Sequence, residues 1–181
     1  FGIPIVGTHA HSFVMSYESE KDLGENRYLD GVDVLAKALH YREKLGYKNT
    51  EMCELYAFVA YACSFPHRFV ALVDSYSTIN SGVKNFIATY SVLYELGYKG
   101  EEKGKSVYGV RLDSGDLAQL SKESKILFKQ AGETLGFDFS HLIVFASNDI
   151  NENVLKNLKK SDHQVDSFGI GTNLAVSYTH L

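Results

Sequence analysis

The feature that most restricts the fold is a repeated order along the chain: a short apolar run, a polar cluster, then a longer amphipathic stretch. The apolar runs cover 3–6, 69–73, 107–112, 142–146 and 165–170, and are rich in Val, Ile, Leu and Phe. Strands buried on both faces read this way. Between them Val32, Leu35, Ala36 and Leu39 recur at helical spacing, ending at Gly46, and Met52, Leu55, Tyr56 and Val59 do the same before Pro66. Further helices are expected over 86–96, ending at Gly97, over 117–135, ending at Gly136, and over 151–160, with lysines in the final turn. Strand and helix in succession predict α/β architecture, a parallel sheet with crossover helices.

An open doubly wound sheet and a closed (β/α)8 barrel share that order. The polar clusters select the barrel. They stand at the carboxyl ends of the runs: Thr8-His9-Ala10-His11, Asp74-Ser75-Tyr76, Arg111-Leu112-Asp113-Ser114, Ser147-Asn148-Asp149 and Gly169-Ile170-Gly171-Thr172. In a barrel all five meet at one mouth. In an open sheet the outer ones lie too far apart to cooperate. The remaining strands are expected outside 1–181, and the start at Phe1-Gly2-Ile3-Pro4, without Met, reads as internal.

Composition narrows the function classes. A chain that is 45% hydrophobic and 22% charged is that of an ordinary globular domain. Its net charge of −4 gives no support to non-specific nucleic-acid binding, while a few focused cations suffice for small anions. Cys53 and Cys63 fall in one expected helix, about 15 Å apart at its usual rise, too far for a disulfide. Free thiols suit a reducing compartment, most simply the cytosol. No apolar run reaches membrane-spanning length.

Each polar cluster has a functional and an ordinary reading. His9 and His11, two apart on an extended segment, would point the same way, as a metal pair or with one as nucleophile or acid/base; otherwise they are hydrogen-bonded loop histidines. Arg111 at a barrel mouth needs a partner, and its planar fork suits a carboxylate or phosphate. Asp113 and Asp116 are placed to hold ribose hydroxyls or a phosphate-escorted Mg2+, or to cap the next helix with Ser114. Gly169, Gly171 and Thr172 suit close approach of backbone amides to phosphate, although Gly-X-Gly alone is more often a turn. Asp149 lies in the weakest cluster, where an N-cap is an adequate explanation.

Phe-Gly-Ile-Pro, Gly-Thr-His-Ala-His-Ser-Phe, Asp-Ser-Tyr-Ser, Val-Arg-Leu-Asp-Ser-Gly-Asp, Ser-Asn-Asp-Ile and Gly-Ile-Gly-Thr, in this order, resemble the nicotinate phosphoribosyltransferase family over 1–174. The resemblance implies a type II phosphoribosyltransferase barrel, partly covered by 1–174, with 175–181 departing from the family pattern. It implies transfer of phosphoribose from phosphoribosyl pyrophosphate to nicotinate, with Mg2+, coupled to ATP hydrolysis, in a cytosolic homodimer. By the same resemblance His11 is the phosphorylated histidine; Asp113 joins it as catalytic on chemical grounds, as a carboxylate near the positive charge that builds on the ribose ring when the C1–pyrophosphate bond breaks. Thr8 and Arg111 contact the nicotinate region; Gly169, Gly171 and Thr172 hold the 5-phosphate; Asp149 is a substrate contact. The rival readings are a nicotinamide-using relative, a metal-dependent barrel hydrolase and a catalytically silent nucleotide-binding subunit. The hydrolase wants more histidines at strand ends, whereas His141 and His163 precede their strands.

Overall fold

A computed structural model describes residues 8–100, 107–147 and 149–171. The strand expected over 3–6 and the tail at 175–181 lie outside the described residues. Helix α1 (His11–Val14) and a 3-10 segment (Glu20–Arg27) lead to a small antiparallel hairpin, β1 (Tyr28–Leu29) and β2 (Val32–Asp33). Next come α2 (Val34–Lys44), α3 (Met52–Ser64) and β3 (Arg68–Leu72). The rest alternates: α4 (Val83–Glu95), β4 (Val107–Leu112), α5 (Leu117–Leu135), β5 (Ile143–Ala146), α6 (Glu152–Lys160) and β6 (Ser167–Phe168).

The helix bounds follow from local chemistry. Asp33, Asp116 and Asn151 each accept a backbone N–H two or three residues into the helix that follows, from Ala36, Gln119 and Val154, satisfying a donor that has no helical partner. Gly136 ends α5 at φ 72°, where a side chain would be strained. The hairpin was not expected from the sequence, because two-residue strands leave no period-2 pattern. β6 is shorter than the apolar run 165–170, since β5 offers it ladder partners only at Phe145 and Ala146.

The large sheet is parallel and runs β3-β4-β5-β6. Neighbours in space follow the order in sequence, with no reversal. By register, Phe69, Ala71, Val73, Tyr108, Val110, Leu112, Val144 and Ala146 share one face. They form the main core with Phe86, Ile87 and Tyr90 of α4, Phe128 and Ala131 of α5 and Leu158 of α6. All three crossover helices therefore cover the same face. A doubly wound sheet covers both and reverses its order; single winding is the geometry of a barrel wall. Val70, Leu72, Gly109, Arg111, Ile143 and Phe145 take the opposite, inner face. A second cluster joins α2, α3 and α4 through Leu35, Ala38, Leu55, Val59 and Val92 outside the wall.

Gly109 is set by close approach. A Cβ there would meet the Ile143 carbonyl oxygen at 2.0 Å. Both partners are ladder backbone and neither yields cheaply. Gly109→Ala is expected to cost about 3 kcal/mol or more, lowering the thermal midpoint by roughly 6 °C or more. An unchanged midpoint in calorimetry would count against this pairing of β4 with β5.

Candidate active site

The carboxyl ends of β3 and β4 meet around one carboxylate. Asp74 follows β3, and its side chain is only 1% exposed. Its Oδ1 lies 3.0 Å from His11 Nε2. Its Oδ2 accepts from the Asp113 backbone N–H at 3.1 Å and from the Ser114 hydroxyl at 2.5 Å. One side chain thus ties the histidine loop to the β3 and β4 tips. Hydrogen bonds to a charged group contribute roughly 1.5–3 kcal/mol each, enough to keep a buried carboxylate in place.

Beside it is a second junction. The Arg111 guanidinium donates from Nη2 to Asp113 Oδ1 at 3.2 Å, from Nε to Ser147 Oγ at 2.8 Å and from Nη1 to the His9 carbonyl at 3.5 Å. Ser147 Oγ also donates to Asp113 Oδ1 at 2.5 Å. Burial alone would raise the Asp113 carboxyl, but the Ser147 hydroxyl and the Arg111 guanidinium outweigh it and hold it below the ordinary carboxylate range. Asp113 is therefore ionised at neutral pH. The Arg111 and Asp113 side chains each remain 26% exposed, so the pair is open to a ligand.

His9 and His11 do not point the same way, contrary to the period-2 expectation. The extended backbone stops at Ala10, where α1 begins, and this turns the rings apart. His9 is buried among Phe13, Phe58 and Tyr61. Its Nε2 accepts the Leu72 N–H at 3.1 Å, so the neutral ring carries its proton on Nδ1. Burial, with lesser repulsion from Arg111 and His11, pushes its pKa down to about 4. His11 keeps a 42% exposed side chain. Among the described residues no group of three or more His, Cys, Asp or Glu could hold a metal ion, and the metal-pair reading fails with the hydrolase it served.

Thr8 sits on the open edge of β3, its hydroxyl donating to the Val70 carbonyl at 2.5 Å. Asp116 caps α5 and takes no part in the cluster. Gly169 donates its N–H to the Ala146 carbonyl at 2.8 Å, and a Cβ there would rest 3.4 Å from Ser147 Cβ. That brings the last turn beside the Arg111 junction. Gly171 has open space around it. Asp149 is exposed, in a left-handed conformation at φ 42°, and among the described residues no hydrogen bond or ion pair joins its carboxylate to the other tips. Thr172 and Asn148 lie outside the described residues.

No family model matches the chain. Individual proteins do. It is 48% identical over 179 residues to a nicotinate phosphoribosyltransferase of Dictyostelium discoideum, covering 96% of this chain and 29% of the relative. Identity to nicotinate phosphoribosyltransferase 1 of Arabidopsis thaliana is 42%, over 98% of this chain and 33% of that one. The crystal structure of human nicotinic acid phosphoribosyltransferase superposes with a TM-score of 0.77 at 37% identity, over 95% of this chain and 36% of the human chain.

Over nearly its whole length the chain is similar to nicotinate phosphoribosyltransferases. It spans about a third of the length of these relatives. The fold expectation for this family, a parallel α/β wall with its tips around one mouth, holds. What sequence reasoning missed is the weight of Asp74 and Ser147. The sequence marks Asp74 only as one member of a polar cluster after a strand, and the structure makes it the central carboxylate. A carboxylate directly after a fully buried strand was the available signal.

The depressed His9 value links stability to pH. Between pH 6.5 and about 4 the unfolded chain takes up a proton that the folded ring refuses. Stability contributed by neutral His9 is therefore present above 6.5 and lost as pH falls toward 4, on the order of 3 kcal/mol in all. His9→Gln can still accept the Leu72 N–H but cannot be protonated. Denaturant unfolding at both ends of that range is expected to show a smaller acid-side loss for the variant; equal losses would remove His9 from this role.

Proposed function

We propose that the protein of which this chain forms the described barrel wall transfers phosphoribose from phosphoribosyl pyrophosphate to nicotinate. The products are nicotinate mononucleotide and pyrophosphate, the first being a precursor of NAD. The single observation that carries the reading is the meeting of Arg111, Asp113 and the Asp74–His11 pair at one mouth, in a chain 48% identical to a protein of that name. Arg111 is the focused cation that an acidic chain needs to grip a carboxylate or phosphate. In the transfer, the bond from ribose C1 to the pyrophosphate oxygen breaks with its electron pair leaving on pyrophosphate, and the nicotinate ring nitrogen bonds to C1. Positive charge builds on the ribose ring as that bond breaks, and an ionised Asp113 stabilises it.

Gly169 and Gly171 support the phosphate end of the reading. Neither has a positive φ, and neither is forced to be glycine by a close neighbour. Close approach of a ligand to their backbone is a sufficient reason for both. Thr8, Thr172 and Asp149 are assigned to the substrate site in the same reading, with Thr8 already beside the His9–Arg111 contact.

His11 is the proposed phosphoacceptor from ATP. With Nε2–H donating to Asp74, the Nδ1 lone pair is left to attack the terminal phosphorus of ATP as ADP departs. The resulting charge beside Arg111 reorganises substrate binding, and water later releases the phosphate. Mg2+ would enter with the phosphates, since such ions take only one or two protein carboxylates, and Asp113, ionised and partly exposed at the mouth, would hold it. It supplies charge neutralisation to the pyrophosphate. A cytosolic site of action is supported by the free thiols of Cys53 and Cys63, and no described helix is long and apolar enough to cross a membrane. A homodimer belongs to the same reading; exposed Met15 and Phe65 offer apolar surface for a second subunit or for further chain.

The test uses the full-length protein with nicotinate, phosphoribosyl pyrophosphate and ATP. His11→Ala is expected to abolish ATP stimulation of nicotinate mononucleotide formation while donor binding persists. Asp74→Asn, which loses the charged partner of His11, is expected to slow phosphohistidine formation by roughly 100-fold. ATP stimulation undiminished in His11→Ala would remove that residue from its role, and no nicotinate mononucleotide from the wild type would end the reading.

A further inference from the structure

Glu54, in the first turn of α3, has a fully buried side chain and, among the described residues, no cationic partner. Its Oε2 accepts from the Ser81 hydroxyl at 2.5 Å and from the Asn85 amide at 3.1 Å, and among the described residues its Oε1 has no hydrogen-bond partner. Ser81 also accepts the Glu51 N–H at 2.9 Å, and Asn85 donates to the Glu51 carbonyl. The network closes through the Thr50 hydroxyl, which donates to Asn85 Oδ1 at 2.6 Å. A buried carboxyl so placed is costly in its charged form, and nothing in the reaction described above uses it.

What it holds is the turn behind Asp74. After Asp74 the chain runs through Ser77 into a π-helical turn (Thr78–Gly82), whose Ser81 and Gly82 N–H groups both return to the Ser77 carbonyl. The end of that turn lies directly against its start, because a Cβ on Gly82 would meet the Val73 carbonyl oxygen at 2.0 Å. Val73 is the residue before Asp74. Movement of Ser81 is therefore passed to the Asp74 backbone with little slack.

We propose that Glu54 is a positioning residue for the active site, clamping the Asp74 turn through Ser81 and Asn85, and that it does so as the neutral acid. The inference rests on the reading of Asp74 and His11 as parts of a phosphoribosyltransferase site. The charged groups around Glu54 are of its own sign: Glu51 on the approach to α3 and Asp74 at the β3 tip both disfavour ionisation. Tyr76 and Cys53, which also face this region, bring no positive charge. Arg42 of α2 is held by Thr50 and by the Lys48 and Thr50 carbonyls, and reaches Glu54 only through Thr50 and Asn85. Lys84 of α4 lies over the Tyr47 ring. The first-turn position on α3 and the two hydrogen bonds favour the carboxylate, but burial outweighs them and brings Glu54 up to about 7. Above that value a second buried negative charge opposes Asp74 and loosens the turn.

The experiment follows kcat/KM for nicotinate mononucleotide formation by the full-length protein from about pH 6 to about pH 8, beside thermal unfolding across the same range and down to 4.5. Because the folded value is raised, the stability that neutral Glu54 contributes is present below 4.5 and lost as pH rises through about 7. Glu54→Gln is expected to gain in thermal midpoint on the wild type as pH rises. It is also expected to lose the basic fall of roughly tenfold in kcat/KM that the wild type shows. A midpoint difference that does not change with pH overturns the neutral acid. A midpoint difference that changes as expected, with the same basic fall in both proteins, overturns the positioning role and leaves a structural one. If Glu54→Gln does not fold, Glu51→Gln removes a like charge that disfavours ionisation of Glu54 while keeping the Glu51 backbone contacts, and must move the basic fall to lower pH; an unmoved fall overturns the proposal. A wild type that makes no nicotinate mononucleotide fails the functional reading and the positioning role with it, whereas every other outcome leaves that reading in place.

Discussion

The Asp74 carboxylate is the constraint on which the arrangement of the mouth depends. It is nearly solvent-free, and a histidine, a backbone amide and a hydroxyl surround it. Those partners come from two stretches far apart in sequence, the start of α1 and the β4–α5 turn, while Asp74 itself stands just past the end of β3. Satisfying one buried acceptor therefore fixes the relative placement of all three. The Arg111–Asp113–Ser147 junction extends the same logic to β5, and Gly169 packs against Ser147 to bring in β6.

The sheet supplies the platform that makes this possible. Its helix-facing side is closed by α4, α5 and α6, so that face is dry and rigid. The inner face is where a guanidinium and an ionised aspartate remain partly exposed at the strand ends. Binding groups held on strand tips by a packed wall need little reordering when a ligand arrives, which is where such a site gains its rate. The polar cluster of Glu54, Ser81 and Asn85 stands outside the wall, behind the tip that bears Asp74. Polar groups are thus concentrated around one turn of the chain, on both sides of it.

Much of this was legible beforehand because it is written in periodicities. The runs at 69–73, 107–112 and 142–146 became β3, β4 and β5, and helix stops at Gly136 and caps at Asp116 follow from local backbone chemistry. Arg111 stood out as a cation inside an apolar strand. Asp116, weighed equally as a ligand and a cap, is a cap, since Gln119 N–H lies within reach of its side chain whatever the tertiary fold. The histidines misled because an i, i+2 pair shares a side only on extended backbone, and a helix starts at His11.

The sequence alone determined the helices and strands from α2 onward, their order, the parallel pairing and the identity of the chemical groups at each strand end. Those depend on contacts between near neighbours in the chain and on which residues avoid water. Only the tertiary structure decided that His9 turns inward while His11 meets Asp74, that Ser147 joins the Arg111 pair, and that Glu54 is buried beside Ser81 and Asn85. Hydrogen-bond partners separated by 27 to 63 residues leave no spacing to read. They are selected when the packed wall withdraws polar groups from water and leaves each one a few available partners.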